Sequence, residues 1–429
     1  MKILIALHQV MDLGGIINHT EQLMAGLQEE GHTVHLKEFV WAYNAPSQRK
    51  EADWFIGASG VKYDQQKGWN FSNRQRIPYR GGANISGAKQ IMARYDIIIW
   101  TIPVPSKSAN NRGNDDWPDL YDLPDRIKQI GFIHDGNSRK GYPHLLHIES
   151  KLKAVACVHH CAWNGSSHLS VPRALVLNPQ HNPVRDVVPW EYKTNGFINM
   201  QTFKGWKRVH ELIEAIAYMP KRDGIEMRHV AGKGIEYQYM TSENKCKPNY
   251  FHGDNEQWFS SQKFWEAALS NGMIWTGYWN EVERDQFLTQ ARVLVDPSWS
   301  NNYSDQGGHY NRVLVEAMIH GLIPVARLKG VGDDLFEPGE HYVAIPEHIG
   351  PQEYADLVLE TSNKSHLYAQ HFREAALDRL HLFDRRRIAK QVVRLAMSDF
   401  NEDEVKRDEV NPDAQKKSED IMFDHFGIM

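Results

Sequence analysis

The chain has little cysteine, no long apolar run and almost no net charge, and each shortage excludes something. Three cysteines in 429 residues, an odd number, do not make a disulfide framework and point to a reducing compartment. No apolar stretch approaches the about 18 residues that a membrane-spanning helix needs, so no membrane partner is expected. The opening run from Met1 to His8 is too short for a secretory signal and reads as a first strand. The expected location is therefore cytoplasmic. A formal net charge of −5 exerts no global pull on nucleic acid, so any such binding needs a local basic face. Internal repeats and long low-complexity tracts are missing as well. Hydrophobic residues at 41% and charged residues at 24% are the proportions of an ordinary globular protein. The length leaves room for two domains with two cores. Aromatic residues are plentiful, with 13 Trp and 17 Tyr, enough to leave some exposed for stacking.

Strand and helix patterns alternate from end to end. Candidate strands are residues 2–7, 33–38, 95–102, 129–134, 154–159 and 174–178, then 195–200, 226–231, 272–276, 292–296 and 322–326. Amphipathic helices lie between them. Ile16, Thr20, Leu23, Met24 and Leu27 make one apolar face, stopped by Gly31, and Val209, Leu212, Ile213, Ile216 and Met219 make another. Such alternation predicts an α/β chain with parallel sheets covered by helices. Pro179, Pro183 and Pro189 break up the stretch around residues 182–193, after which a fresh strand–helix series begins. The expected division is an N-terminal Rossmann-like domain over residues 1–185 and a second over 190–383. Residues 401–429 are charge-rich and expected to form a loosely docked tail.

The residues around Glu316 say most about function. Val313, Ala317 and His320 recur at helical spacing, as do Leu314 and Met318, so Glu316 sits on a helix. Gly321 suits the left-handed position just past a helix end. Residues 322–326 then form a short apolar run of the kind a parallel sheet buries on both faces. Glu316 is thereby placed beside the end of a doubly wound sheet, where ligands bind.

Other residues are candidates for the same chemistry. Gly14 and Gly15 open the first helix, where backbone N–H groups are free to meet a phosphate; a structural tight turn explains them equally well. Lys204, in Lys204-Gly205-Trp206-Lys207, follows the first strand of the second series and can reach a diphosphate; an exposed helix-start lysine is the plainer alternative. His134-Asp135 ends a strand of the first half, ahead of the polar run Ser138-Arg139-Lys140-Gly141; a capping Asp after a buried His is the alternative. The loop Gly307-Gly308-His309-Tyr310-Asn311 precedes the Glu316 helix and offers backbone N–H groups to a sugar or phosphate. Trp279, in the aromatic segment from Trp275, is a candidate for stacking, though a core role for one or two of these rings explains them as well. Cys157, His159, His160 and Cys161, with His168 nearby, suggest zinc. Residues 154–159 read as a buried strand, so their side chains alternate between faces, and no second pair of ligands exists. No metal is therefore expected. Residues 61–94 are the most basic stretch, with Lys62, Lys67, Arg74, Arg76, Arg80, Lys89 and Arg94 against the single acid Asp64. Trp69, Phe71 and Tyr79 are interleaved. This stretch suits phosphate contacts and base stacking or is a solvated loop.

The helix of Glu316 resembles the donor-binding helix of retaining GT-B glycosyltransferases, in which a Glu before Ala-Met or a similar pair holds the ribose of a nucleotide-sugar. Within that class the chain resembles the bacteriophage DNA α-glucosyltransferases, which modify hydroxymethylcytosine in duplex DNA with UDP-glucose. The similar places are the Asp96-Ile97-Ile98-Ile99 strand, His134-Asp135, Thr202-Phe203-Lys204-Gly205, the run from Gly234 to Tyr239, and Gly321-Leu322-Ile323-Pro324-Val325. The resemblance implies a GT-B fold of two Rossmann-like domains facing each other across a cleft. It also implies a helix over residues 384–400 that crosses back onto the N-terminal domain.

What the resemblance implies about the site follows residue by residue. The donor, a UDP-sugar, would be held by Gly14, Gly15, Asn199, Lys204, Trp279, His309, Tyr310, Asn311 and Glu316. His134 would orient the sugar, and Asp135 would be the base or the group that orients the acceptor. Arg74, Arg76, Arg80, Arg139 and Lys140 would face double-stranded DNA carrying a modified pyrimidine, its target base flipped out. No cofactor or metal is implied, because lysine and helix N-termini neutralise the departing diphosphate. The setting would be a host cytoplasm if the chain is phage-encoded. Two positions depart from the family pattern. Asn199 stands where related enzymes carry Arg, and Gly308 where they carry an acid. These departures leave the sugar open, a hexose or a pentose such as arabinose. They also keep two other readings: a GT-B enzyme acting on a polysaccharide, lipid or small molecule, and a binding protein of that shape without catalysis.

Overall fold

The continuous apolar runs of the sequence become strands covered on both faces. Residues 3–7 and 97–100 are wholly buried, as interior strands of a parallel sheet must be. The computed structural model describes residues 1–8, 15–40, 75–78, 82–103, 117–134, 145–159, 162–163, 166, 168–201, 207–221, 224–231, 252–253, 256–257, 262–277, 281–298, 312–327 and 335–397. The chain divides at Asn182/Pro183 into two units.

The first unit holds β1 (Lys2–His8), α1 (Gly15–Glu29), β2 (Thr33–Val40), β3 (Gln75–Pro78), α2 (Gly82–Met92), β4 (Ile97–Ile102), β5 (Lys128–Ile133), β6 (Ala154–Cys157) and β7 (Arg173–Leu175). Its strands form a parallel sheet in the order β3-β2-β1-β4-β5-β6-β7. Strand order turns back between β1 and β4, so the carboxyl ends of these two strands flank the switch point where such sheets bind ligands. One face of the sheet is closed by a core built from Leu4, Ile98, Trp100, Trp117, Tyr121 and Ile133.

The second unit carries β8 (Thr194–Asn199), α3 (Val209–Tyr218), β9 (Met227–Ala231), a short antiparallel pair β10 (His252–Gly253) and β11 (Glu256–Gln257), and α4 (Gln262–Ser270). It continues with β12 (Ile274–Gly277), α5 (Glu281–Gln290), β13 (Ala291–Asp296), α6 (Arg312–Ile319), β14 (Ile323–Arg327), β15 (Val343–Ile345) and α7 (Pro351–Leu380). The sheet order is β12-β9-β8-β13-β14-β15, again parallel throughout. Here the switch point lies between β8 and β13. Leu212, Ile213 and Ile216 of α3 and Trp265 of α4 pack with Phe197, Val230 and Val295 of the sheet. The same core shows why the periodicity of α3 was legible in the sequence.

The last described helix, α8 (Arg385–Met397), belongs to the first unit and packs along α1. Ile388, Ala389, Val392 and Leu395 form its buried stripe. Arg385 pairs with Glu29 and donates from Nη1 to Gln22 at 3.1 Å, and Arg386 Nε reaches Glu30 at 2.7 Å. Gln391 donates to the Leu175 carbonyl at 2.8 Å. The two helices touch at Gly26, where a Cβ would collide with the Arg385 carbonyl. Gly26→Val is therefore expected to cost about 2–3 kcal/mol, the cost of overpacking a tight contact. It would appear as a lower urea midpoint with an unchanged slope. An unchanged midpoint would show that α8 moves aside freely.

Every candidate strand has a counterpart, with ends shifted by at most three residues. The structure adds β3, β10, β11 and β15, which are short and have no clear alternation. The most consequential addition is β3, inside the basic stretch 61–94. Lys37 to Val40 of β2 align with Gln75 to Pro78, and Pro78 is tolerated because β3 is an edge strand. Ile85, Ala88 and Met92 of α2 then pack into the core. The described part of this stretch is thus a strand and helix of the sheet rather than a solvated loop. Among the described residues no helix is long and apolar enough to cross a membrane.

Candidate functional site

In the second unit, Glu316 lies on α6, one of a row of buried residues from Leu314 to Ile319. Gly321 ends the helix with φ of 69°, and Val187 side-chain atoms stand 3.1–3.3 Å from where its Cβ would be. Both facts explain the glycine. The Glu316 side chain is held by two guanidinium groups on one oxygen. Arg312 Nη2 is 3.1 Å from Oε1 and comes from one helical turn earlier; Arg284 Nη1 is 3.6 Å from Oε1 and comes from α5. Arg284 also donates to Asp285 Oδ1 from Nη2 at 3.0 Å and from Nε at 3.3 Å.

The helices that carry these residues are tied together at their C-terminal ends. Lys193 Nζ donates to the carbonyls of Thr289 at 2.9 Å, Ala291 at 3.2 Å and His320 at 3.1 Å. Its three protons meet three acceptors at the ends of α5 and α6, the place where a cation suits a helix dipole. Burial pushes its pKa down to about 8. Arg373 adds a second cation, donating from Nη1 to the Met318 carbonyl at 2.8 Å.

Asn199 sits at the carboxyl end of β8, beside the switch point, and is fully buried. Its amide nitrogen donates to the Val295 carbonyl at 2.8 Å, and its Oδ1 accepts from Gln201 N at 3.4 Å. The amide nitrogen thus joins β8 to β13, and Oδ1 is taken by the backbone two residues on. Next to it, Asp296 Oδ1 accepts from Ser298 N at 3.0 Å. Arg327, nearly buried, donates to the carbonyls of Pro297, Pro346 and Glu347 and pairs with Glu211. Arg208, in a left-handed conformation before α3, pairs with Glu211 as well. Cations at this end of the sheet are therefore numerous, but these two are committed to carboxylates and carbonyls of the fold.

In the first unit, His134 follows β5. Its ring meets His19 of α1 edge-on at 4.7 Å and stacks on Phe132 at 5.9 Å. His19 Nδ1 is 2.9 Å from Asn178 Oδ1, so it is the donor there. His159 Nε2 donates to the His134 carbonyl at 3.2 Å, while its Nδ1 accepts from Ala162 N at 3.0 Å. Burial, with His19 and His159 beside it, holds the His134 pKa well below the usual imidazole range. The ring bonds the Thr101 backbone, and among the described residues Nε2 has no partner. A neutral imidazole in this state suits hydrogen bonding to a hydroxyl better than delivering a proton.

His8 closes β1 at the switch point. Its ring stacks on Trp100 at 5.2 Å, and its Nε2 lies 2.7 Å from the Tyr121 hydroxyl. Tyr121 gives its own proton to the Pro103 carbonyl, so His8 Nε2 is the donor. Full burial lowers the His8 pKa to about 3.

The remaining candidates divide clearly. Gly15 is the first residue of α1 and Arg76 lies in β3. Gly14, Arg74, Arg80, Asp135, Arg139, Lys140, Lys204, Trp279, His309, Tyr310 and Asn311 lie outside the described residues. Trp275 packs against the buried Trp265 at 5.3 Å, a core role. Cys157 is a buried thiol 3.4 Å from Ser166 Oγ, with its pKa pushed up to about 11 by burial. Among the described residues there is no cluster fit to hold a metal ion. Sequence reasoning missed Arg312, Arg284, His19 and His8. The i, i+4 spacing of Arg312 and Glu316 could have shown the first pair; Arg284, His19 and His8 meet their partners only through the fold.

Residues 183–379 match the family model described as Glycosyl transferases group 1. No curated protein matches the sequence. Among solved structures, Anabaena HepE in complex with UDP is 15% identical with a TM-score of 0.61, over 92% of this chain and 98% of that one. A variant of S. aureus TarM, in complex with Fondaparinux, alpha-GlcNAc-glycerol and UDP, is 12% identical with a TM-score of 0.60, over 92% and 100%. An alpha-glucosyltransferase in complex with UDP-glucose and DNA containing an abasic site is 14% identical with a TM-score of 0.60, over 93% and 100%. The two Rossmann-like parallel-sheet units and the C-terminal helix have the GT-B fold of these glycosyltransferases.

Proposed function

We propose that the protein is a group 1 glycosyltransferase that moves a sugar from a UDP-sugar to a hydroxymethylated base in DNA, with retention at the anomeric carbon. The observation that carries the reading is Glu316. Its carboxylate is anchored on α6, within residues 183–379, the stretch that matches the glycosyltransferase model. Carboxylate oxygens only accept hydrogen bonds, which suits the hydroxyls of a ribose. In this reading the bond between the anomeric carbon and the diphosphate oxygen breaks as the acceptor hydroxyl attacks from the same face. Lys204 and the N-terminal residues Gly14-Gly15 are assigned to neutralising the leaving UDP, and His309, Tyr310 and Asn311 to holding the donor. His134 accepts from a sugar hydroxyl, and Asp135 orients the acceptor or takes its proton. Trp279 stacks on the base of the donor.

DNA as acceptor is supported by the likeness to the alpha-glucosyltransferase solved with DNA, and by the basic residues Arg74, Arg76, Arg80, Arg139 and Lys140. A glycan or lipid acceptor is a second reading, favoured by a likeness of the same order to a lipopolysaccharide outer core galactosyltransferase, 14% identical with a TM-score of 0.55. The test is UDP release by the purified protein with a panel of UDP-hexoses and UDP-pentoses, on duplex DNA with and without 5-hydroxymethylpyrimidines. Release that depends on the hydroxymethyl group is expected. Turnover on a glycan or lipid with none on modified DNA would sink the DNA reading. UDP binding without turnover on any acceptor would leave a binding protein.

A further inference from the structure

Two guanidinium groups converge on Glu316 Oε1, one from its own helix and one from α5. We propose that Arg284 and Arg312 are positioning residues that hold Oε1 and so turn Oε2 to the ribose hydroxyls of the donor, giving the protein its preference for a ribonucleotide over a 2′-deoxyribonucleotide. The inference rests on Glu316 as part of the donor site.

A glutamate has three rotatable side-chain bonds, and ordering them on ligand binding weakens the complex. Arg312 lies one turn away on α6 and constrains the carboxylate along the helix axis. Arg284 constrains it from the side. Arg284 is itself braced, since Nε and Nη2 are on Asp285 and Nη1 is directed to Glu316. The two helices keep their spacing through Lys193, which joins their C-terminal ends. Glu316 is thus anchored from two helices that are fixed to each other, the arrangement that preorganises a recognition group. A fixed Oε2 with two lone pairs accepts from the 2′ hydroxyl as well as from its neighbour, and the 2′-deoxy ligand lacks one of these donors.

Calorimetric titration of the full chain with UDP and with 2′-deoxy-UDP tests the proposal, using wild type, Arg284→Gln, Arg284→Lys, Arg312→Gln and Glu316→Gln. Wild type is expected to favour UDP by about tenfold or more, the worth of one hydrogen bond to a charged acceptor. Arg284→Gln and Arg312→Gln should each reduce that ratio by about threefold or more, and Arg284→Lys should restore part of it. A merely structural arginine would weaken both ligands alike and leave the ratio unchanged, which overturns the proposal. Tighter UDP binding by Arg284→Gln also overturns it, because the arginine would then compete with the ribose. Glu316→Gln separates the two levels of the argument. If it keeps the full preference for UDP, the donor-site reading of Glu316 fails. If it loses the preference while Arg284→Gln and Arg312→Gln keep it, only the positioning role fails.

Discussion

Acidification from pH 6.5 to about 4 should unfold this protein, with buried histidines supplying most of the driving force. Burial lowers the pKa of His8, His210 and His320 from 6.5 to about 3, and that of His134 in the same direction. His210 is further disfavoured as a cation by Arg208 and Arg327, and His320 by Arg185. The native state thus holds these rings neutral in a range where the unfolded chain protonates them. Unfolded molecules bind more protons between the two values, so stability is intact above pH 6.5 and is lost as pH falls from 6.5 towards 3. Each such histidine contributes a slope of about 1.4 kcal/mol per pH unit once it is well below its unfolded pKa. Three together would exhaust a mid-range stability of about 10 kcal/mol within about two to three units, so half-unfolding is expected at about pH 4. Urea titrations at half-unit steps measure the slope directly. Substituting His8 or His320 by Gln should flatten the slope by about one proton each, whatever it does to absolute stability. A urea midpoint that stays constant from pH 6.5 to 4.5 would show that these rings are protonated in the native state.

The doubly wound pattern was legible because it is a pattern of burial. Runs such as Ile97-Ile98-Ile99-Trp100 are apolar throughout, and a strand covered on both faces must read that way. Gly321 was legible for a related reason, since its φ of 69° is a local demand of the helix end. By contrast, β3 was hidden, because Gln75-Arg76-Ile77-Pro78 lies at a sheet edge and only its pairing with β2 makes it a strand. The site divides the same way. The helix that carries Glu316 was legible through its periodicity and the strand that follows. Arg284 and His19 did not, since each acquires its partner from an element distant in the chain. Asn199 shows a subtler limit. Read as a replacement for a donor-binding arginine, it is in the structure a link between β8 and β13 with both polar ends occupied. That use leaves Lys204 with a larger share of the diphosphate charge in the proposed site.

Removing Glu316 and Lys204 together is therefore expected to abolish most donor binding. Each alone, Glu316→Ala or Lys204→Ala, should raise the donor dissociation constant or slow turnover by at least about tenfold, roughly 1.4 kcal/mol. In the proposed site the two act on different parts of the donor, ribose and diphosphate, with no shared partner. Their effects should then add, giving about a hundredfold for the double variant. The two should also differ in kind. Ribose contacts are the same in ground and transition states, so Glu316→Ala should act on KM with kcat largely kept. Charge on the diphosphate grows as UDP departs, so Lys204→Ala should lower kcat as well. Glu316→Ala leaves the guanidinium groups of Arg284 and Arg312 without their shared carboxylate oxygen. Glu316→Gln keeps the shape and is the better measure of ribose recognition. Wild-type kinetics in either single variant refutes that assignment. A double variant no worse than the poorer single one would place both groups on the same part of the donor.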